Sequence, residues 1–315
     1  MKLTNTFQVS ESELGGSDYD MFIGASGYET RATHAISRVG GGKFREKLVL
    51  GFTDRQNPQR AENDRVFLNS RCEIVPMSGD SVQNVRTEIR NRLAAFPDQE
   101  LRILVDYTCM TRSWYAGIIE AIRGIEGRKP IECVFTYSPA VFSEPPEPST
   151  NSIVEPIAGF CSLDVPEKPT ALVIGLGYER SRALGLLEYI DPAVFFVFYT
   201  DPVLDIRFRD VVLANNQPVL AKLKKEGGER IFRHPLCDLQ RTSNLLMSLC
   251  AGLREDHRVI LAPLGVKPFS LLCLLIATGF RDLDVWRVSP GVKAPPLDRK
   301  PTGQLLALSA NFKVD

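Results

Sequence analysis

The stretch IGASGYETRA runs from Ile23 to Ala32, and a closely similar stretch, IGLGYERSRA, runs from Ile174 to Ala183. Each copy continues an apolar run and carries a Gly-Tyr-Glu at the point where that run ends. Short, nearly continuous apolar runs are typical of parallel strands that are covered on both faces. The repeated stretch therefore predicts a strand followed by a tight turn, once in each half of the chain.

Other landmarks recur in the same order in both halves. The apolar run that ends GFTD at Asp54 corresponds to the run that ends FYTD at Asp201, and Ser138-Pro139 corresponds to Ser289-Pro290. Between them, RILVDYTCMTR in the first half corresponds to RVILAPLGVKP in the second. Ordered self-similarity at a spacing of about 150 residues indicates duplication of one unit.

Strand-like apolar runs alternate with helix-like segments within each half. The segment that follows Asp80, for example, places Val82, Val85, Ile89 and Leu93 on one stripe of a helix. This alternation is typical of a parallel, Rossmann-like sheet. We predict an α/β fold of two tandem Rossmann-like units with parallel sheets, an internal duplication related by a pseudo-twofold. The predicted bounds are 1–148 for unit 1, 149–170 for a Pro-rich linker and 171–315 for a degenerate unit 2.

Composition limits the function classes. The chain has 315 residues with 38 basic and 38 acidic side chains, so its net charge of zero gives no strong case for binding long nucleic acids. No apolar run is long enough for a membrane span, and the first residues lack a signal-peptide core, which predicts a cytoplasmic protein without a membrane partner. Seven cysteines without CxxC spacing and three scattered histidines predict neither a disulfide framework nor a metal site.

Polar residues gather where the apolar runs end. Ligands of open parallel sheets bind outside the carboxyl ends of the strands, so we predict a ligand-binding rim there. The alternative is that these residues form ordinary turns and helix caps, which also favour Gly, Ser, Thr and Asp. We favour the rim because the set is doubled in order. The candidate ligand-binding residues are Gly24, Ser26, Gly27, Tyr28, Glu29, Arg31, Asp54, Asp80, Asp106, Thr108, Thr111, Arg112, Ser138, Tyr178, Glu179 and Lys267.

The most informative motif is DYTCMTRSW, which runs from Asp106 to Trp114. An apolar strand ends at Asp106, two hydroxyls follow at Thr108 and Thr111 with Arg112 next to them, and a helix is predicted to start near Ser113. Backbone N–H groups, hydroxyls and a guanidinium at one helix N-terminus suit a phosphate or another anion.

Two qualifications apply to this motif. The second copy keeps a cation at Lys267 but has Ala262 in place of the aspartate and no threonine, so its site is predicted to be degenerate. Arg112 could also pair with a nearby acid, Asp106 or Glu29, and hold the two motifs together instead of binding a ligand.

The Gly-Tyr-Glu motif has less specific chemistry. Gly27 permits a tight turn, Tyr28 and Tyr178 could stack on a base, and Glu29 and Glu179 could accept hydrogen bonds from a ribose. The motif is not the Gly-x-Gly-x-x-Gly fingerprint, so NAD is not indicated, and the chain has no Walker segment for ATP hydrolysis.

A strand that ends in Asp-x-Thr, followed by Thr-Arg and an apolar helix, resembles the Asp-x-Thr-Gly-Gly-Thr-Lys turn of CRISPR-associated Rossmann fold (CARF) domains. Their fused relatives, the SAVED domains, carry two such units in one chain. Asp106, Thr108, Thr111 and Arg112 match that turn, and Gly24–Ser26 match the small-residue loop after the first strand.

This resemblance implies a sensor of cyclic oligonucleotide second messengers in prokaryotic antiviral defence. The sequence departs from the family pattern in three respects. Cys109 and Met110 stand where the family turn has two glycines, Arg112 stands where it has lysine, and unit 2 lacks the Asp and Thr.

Three function classes remain. The first is a sensing or regulatory subunit without a cofactor, which binds a nucleotide-type small molecule and works in a complex with a separate effector protein. The absence of a recognisable nucleophile–base pair and the degenerate second half favour this class over an enzyme.

The second class is a nucleotide hydrolase or ring nuclease. Asp106, Glu29 and Asp54 would then supply carboxylates for acid–base work or a Mg²⁺ ion, while Arg112 stabilised charge. The third class is a non-catalytic scaffold subunit. The apolar segment Phe269–Phe280 would then be a partner contact, although a buried helix explains it better.

Overall fold

The computed structural model describes residues 1–39, 42–53, 57–144, 153–162, 167–289 and 297–314. Its strands are β1 (Lys2–Val9), β2 (Tyr19–Ser26), β3 (Phe44–Phe52), β4 (Glu73–Met77), β5 (Leu101–Asp106), β6 (Ile131–Tyr137), β7 (Ile153–Pro156), β8 (Thr170–Gly175), β9 (Val194–Thr200), β10 (Ile231–His234), β11 (Arg258–Pro263), β12 (Asp284–Ser289) and β13 (Leu306–Lys313). Its α-helices are α1 (Glu11–Gly15), α2 (His34–Val39), α3 (Pro58–Asn69), α4 (Val82–Ala95), α5 (Arg112–Arg123), α6 (Arg182–Ile190), α7 (Ile206–Asn215), α8 (Gln217–Lys225), α9 (Leu239–Asp256) and α10 (Lys267–Gly279), and a 3₁₀ helix spans Thr30–Thr33.

The chain divides into two compact units. Unit 1 comprises Met1–Val141 and Pro295–Asp315, and unit 2 comprises Phe142–Ala294. Among the described residues, unit 1 holds a seven-stranded sheet in the order β1-β13-β6-β5-β2-β3-β4, and unit 2 a six-stranded sheet in the order β10-β9-β8-β11-β12-β7. Neighbouring strands are parallel except for β1, β13 and β7, each of which pairs antiparallel.

The parallel strands follow the same path in both units. In unit 1 the chain moves outward from β2 to β3 and β4, then returns to place β5 and β6 on the other side of β2. In unit 2 it moves from β8 to β9 and β10, then returns to β11 and β12. This is the doubly wound order of a Rossmann fold, which confirms the predicted α/β class with two Rossmann-like units. Their origin by duplication and their pseudo-twofold relation stay predictions.

The structural division differs from the sequence-predicted bounds at both ends of unit 2. We expected unit 2 to run to Asp315, yet β13 pairs antiparallel with β1 and β6 in the sheet of unit 1. We expected a linker over 149–170, yet β7 lies within that range and pairs with β12 in the sheet of unit 2. Both differences involve antiparallel strands, whose partners are far away in sequence and leave no local pattern.

The predicted helix stripes pack as expected in unit 1. Val85, Ile89 and Leu93 are the buried residues of α4, whereas Val82, at the start of the helix, is only half-buried. The adjacent α5 approaches α4 closely because Gly117 has no side chain. A Cβ at Gly117 would lie 2.7 Å from the carbonyl oxygen of Val82.

The apolar segment that begins at Phe269 forms α10, which is buried along nearly its whole length. Gly175, at the end of β8, leaves room for the Phe269 ring, since a Cβ there would lie 2.5 Å from that ring. This burial accounts for the apolar sequence without a partner contact. Within the described ranges, none of the helices is both long and apolar enough to cross a membrane.

Unit 2 buries a histidine beside α10. His234 is 4% exposed, its Nε2 lies 3.2 Å from the Thr200 hydroxyl, and its ring centroid lies 5.1 Å from that of Phe269. Burial lowers the pKa of His234 to about 4. The unfolded histidine titrates at about 6.5, so between about pH 6.5 and pH 4 the unfolded state binds a proton that the folded state does not.

We therefore expect the free energy of unfolding of unit 2 to fall by about 2 kcal/mol between pH 7 and pH 5 on account of His234. His234→Gln removes this titration. Denaturant unfolding of both proteins at the two pH values measures the difference. Equal losses of stability in wild type and His234→Gln would contradict this assignment.

Candidate functional site

The two motifs that the sequence analysis singled out flank the switch point of the unit 1 sheet. GASGYETR begins within β2 and continues past its carboxyl end, and DYTCMTR does the same at β5. β2 and β5 are parallel neighbours, and the chain leaves them in opposite directions across the sheet. A crevice outside the carboxyl ends of two such strands is where open α/β sheets bind ligands.

The first residues of the GASGYETR motif support the sheet. A Cβ at Gly24 would lie 2.8 Å from the Phe22 ring, so this glycine makes room for core packing. Ser26 is fully buried and donates to the Asp64 carboxylate at 2.5 Å, which also accepts from Arg60 Nε at 2.7 Å. We therefore attribute the small side chains here to packing and hydrogen bonding under the loop.

Helix α3 holds the loop that follows. Asn63 is 2% exposed, and its Nδ2 donates to the carbonyl oxygens of Gly27 and Glu29, each at 2.9 Å. Across the switch point, a Cβ at Gly27 would lie 3.2 Å from Cys109 Cβ in the DYTCMTR loop. The two motifs are thus in contact, with the half-buried Tyr28 next to that contact in sequence.

Glu29 and Arg31 form a buried ion pair. Arg31 Nε donates to Glu29 Oε2 at 2.6 Å, and the two side chains are 5% and 9% exposed. Arg299 reaches the other carboxylate oxygen at 3.3 Å. Arg31 also donates to the Tyr137 hydroxyl at 3.1 Å and to the Ser138 carbonyl at 2.8 Å. The carboxylate of the Gly-Tyr-Glu motif therefore lies between two guanidinium groups of unit 1.

The surroundings of Arg31 keep it charged. Burial on its own would lower the pKa of the guanidinium, but Tyr137, Glu29 and Cys109 outweigh that effect and raise the pKa above its usual value. Burial also lowers the pKa of the half-buried His34, and nearby Arg38 adds to this shift. The rim thus combines a permanent cation with an imidazole that favours its neutral form.

Residues that lie far away in sequence form hydrogen bonds with the loop that follows β2. The Asp298 carboxylate accepts from the Thr30 backbone N–H at 2.6 Å and from the Thr30 hydroxyl at 2.8 Å. The Arg299 carbonyl accepts from the Arg31 N–H at 3.2 Å. Sequence reasoning missed Asp298 and Arg299, because nothing in the local pattern links them to a loop that lies roughly 270 residues earlier.

A buried hydrogen-bond chain joins β5 to β6. Thr108 donates to Asp106 Oδ1 through its backbone N–H at 3.0 Å and through its hydroxyl. The Thr108 hydroxyl accepts from the Ser138 N–H at 2.9 Å, and the Ser138 hydroxyl lies 3.0 Å from His34 Nδ1. Asp106, Thr108 and Ser138 are at most 2% exposed. These buried hydrogen bonds hold the loops after β5 and β6 in a fixed position relative to each other.

Thr111 is the N-cap of α5. Its hydroxyl accepts from the Trp114 N–H at 3.2 Å and donates to the Gly79 carbonyl at 2.6 Å. Arg112 is the first residue of the helix and is half-buried, whereas Asp80, in the neighbouring loop, is exposed. The predicted helix start is confirmed, and Asp54 lies outside the described residues.

The corresponding switch point of unit 2 is filled by its own backbone. A Cβ at Gly177 would lie 2.5 Å from the Leu264 carbonyl oxygen, and a Cβ at Gly265 would lie 2.3 Å from the Leu176 carbonyl oxygen. The two loops therefore pack directly against each other. The glycine of the second Gly-Tyr-Glu motif is explained by this close approach.

The remaining candidates of unit 2 lie around that contact. Tyr178 is half-buried, and its carbonyl accepts from Asn215 at 2.6 Å. Glu179 pairs with Arg182 at 3.0 Å, with side chains that are 29% and 11% exposed. Lys267 is half-buried at the start of α10. Unit 2 thus has the same motif with a more exposed ion pair.

Within the described part of the chain, no group of three or more His, Cys, Asp or Glu side chains is placed to hold a metal ion. A scan against protein-family models finds no match, and a search of curated proteins finds no similar sequence.

The two copies of the Gly-Tyr-Glu acid provide a matched pair of variants. Glu29→Gln leaves the buried Arg31 without its carboxylate, so we expect the free energy of unfolding of unit 1 to fall by about 3–5 kcal/mol. Glu179→Gln affects a more exposed pair and should lower the stability of unit 2 by less than about 1 kcal/mol. Denaturant unfolding of both variants measures the contrast, and equal effects would show that Glu29 is not a buried structural charge.

Because two loops fill the switch point of unit 2, we expect that its glycines cannot be replaced by residues with a side chain. We expect Gly177→Ala and Gly265→Ala each to destabilise unit 2 by about 1–3 kcal/mol, because the new Cβ meets a backbone carbonyl. Gly252→Ala, in α9, is the control, since nothing lies within 4 Å of its Cβ position. Thermal unfolding of the three variants decides the point, and tolerance at Gly177 and Gly265 would mean that the loops are not in contact.

Proposed function

We propose that the chain is a nucleotide- or phosphorylated-ligand-sensing subunit, which binds an anionic ligand at the carboxyl edge of the unit 1 sheet and regulates a separate effector protein. The observation that supports this proposal is that both motifs lie at one topological switch point, where α5 begins after the loop that follows β5. The resemblance to CARF and SAVED domains adds the proposed setting, cytoplasmic antiviral defence.

The electrostatics of the crevice favour an anion. The positive end of the α5 dipole lies at Thr111 and Arg112, and Arg112 is partly accessible there. The buried carboxylate of Glu29 is neutralised by Arg31 and Arg299, so it adds little negative potential to the rim. A phosphate group at the start of α5 would meet a dipole and a guanidinium together.

The state of the carboxylates favours sensing over catalysis. A general base needs an oxygen that can reach a substrate proton. Asp106 is buried and accepts from Thr108, and Glu29 is buried between guanidinium groups. Two of the three acids that the hydrolase alternative assigns to catalysis thus serve the structure, and the third, Asp54, lies outside the described residues. We keep the hydrolase, with or without Mg²⁺, and the scaffold as alternatives that the same experiment separates.

The test begins with the purified full-length chain. Mass spectrometry after denaturation identifies co-purified small molecules, and calorimetry then measures binding of those molecules, of AMP, ADP and ATP, and of cyclic oligonucleotides. We expect an anionic nucleotide to bind without turnover. Turnover would instead support the hydrolase, and the absence of any bound or binding nucleotide would support the scaffold.

Arg112→Ala locates the site. Loss of a charge-assisted contact at the start of α5 should weaken binding by about 2–4 kcal/mol. Lys267→Ala is the matched control, because Lys267 begins α10 at the corresponding place in unit 2. Binding that survives Arg112→Ala but is lost in Lys267→Ala would move the site to unit 2 and overturn the proposal.

A further inference from the structure

The segment that precedes β13 connects the loop after β6 with the loop after β2. We call residues 298–302 of this segment the strap. At one end of the strap, the Asp298 carboxylate accepts from the Thr30 backbone N–H at 2.6 Å and from the Thr30 hydroxyl at 2.8 Å. Next to it, the Arg299 carbonyl accepts from the Arg31 N–H at 3.2 Å. These are the rim-side hydrogen bonds of the strap.

The other end of the strap pairs with the segment that follows β6. The Lys300 carbonyl accepts from the Val141 N–H at 3.0 Å, and the Thr302 N–H donates to the Pro139 carbonyl at 2.9 Å. These two bonds flank an antiparallel bridge at Pro301. Pro301 fits there because neither bond needs an N–H from it.

Both passages of the chain between its two units are linked to the strap. The chain leaves unit 1 after Val141, whose N–H is bonded to Lys300 of the strap. It returns to unit 1 at Pro295, just before the strap in sequence. The strap therefore joins the loop of the Gly-Tyr-Glu motif to the first passage by hydrogen bonds and to the second by the chain itself.

Exposure to solvent distinguishes the strap from the buried network around Arg31. Asp298, Lys300 and Thr302 are exposed, whereas Arg31 is 4% exposed. Segments that are held by solvent-exposed backbone hydrogen bonds open locally at a lower free energy than the core. Opening of the strap is therefore easier than disruption of the buried pair that Arg31 forms with Glu29.

We propose that the strap is a conformational coupler, whose rim-side bonds and whose bonds to the segment after β6 form and break together. A change in the loop after β2 then reaches both passages of the chain between the units. Coupling of this kind requires an element with two states that both ends bias, and the strap is bonded at both ends. Its role as the output of a sensor rests on the proposed function, whereas the coupling itself exists without a ligand.

Hydrogen–deuterium exchange of the full chain, resolved to single amides, tests the coupling without any ligand. Asp298→Ala removes the two bonds to Thr30. Because the strap opens as a unit, the Val141 and Thr302 amides, whose own acceptors remain, exchange about tenfold faster than in wild type. Asp205→Ala is the matched control, since the Asp205 carboxylate also accepts from a backbone N–H, at 3.0 Å, but in unit 2. It leaves both amides unchanged.

Faster exchange at Thr30 alone overturns the proposal, because that amide loses its own acceptor in Asp298→Ala. Val141 and Thr302 amides that are unprotected in wild type, or that respond equally to Asp205→Ala, overturn it as well. Asp298→Asn keeps an acceptor for the Thr30 N–H, gives a smaller acceleration, and replaces Asp298→Ala if circular dichroism shows that variant to be unfolded. Coupled exchange in a chain that binds no nucleotide contradicts the proposed function and leaves the coupling intact.

Discussion

Arg31 holds a full positive charge in a place where only 4% of the residue is exposed, and three neighbouring groups accept its hydrogen bonds. Taking a charge out of water is unfavourable by several kcal/mol unless its partners are all in place. Those partners are Glu29, on the same loop, and Tyr137 and Ser138 at the end of β6. The loops after β2 and β6 are therefore held in one arrangement at the carboxyl edge of the unit 1 sheet.

The Gly-Tyr-Glu motif differs between the two units in its burial and in its contacts. In unit 1 the acid is Glu29, which is nearly buried, and the loop meets its neighbour across the switch point through the side chain of Cys109. In unit 2 the acid is the more exposed Glu179, and glycines bring backbone against backbone. The similar sequences form the same strand and turn in both units. The space at each switch point depends instead on the loop that faces the motif, which contains Cys109 in unit 1 and Gly265 in unit 2.

The sequence was sufficient for features that depend on local pattern. Apolar runs marked the parallel strands, and the helix that was expected to start near Ser113 begins at Arg112. It was insufficient for contacts between distant segments. The partner of Thr30 is Asp298, and β13 joins a sheet whose other strands end at Tyr137. The sequence analysis offered Arg112 as the arginine that could meet Glu29, whereas the coordinates place Arg31 and Arg299 at its carboxylate.

The charged groups at the carboxyl edge of the unit 1 sheet are the basis for the proposed class of ligand. Each buried acid of unit 1 that follows β2 or β5 is already engaged, Glu29 by guanidinium groups and Asp106 by Thr108. Helix α5 begins at this edge with the half-buried Arg112. We propose that this edge binds an anion, while Glu29 and Asp106 are too buried to act on it as a base. The proposed function, in which binding and release of a ligand are coupled to another protein, needs no such base.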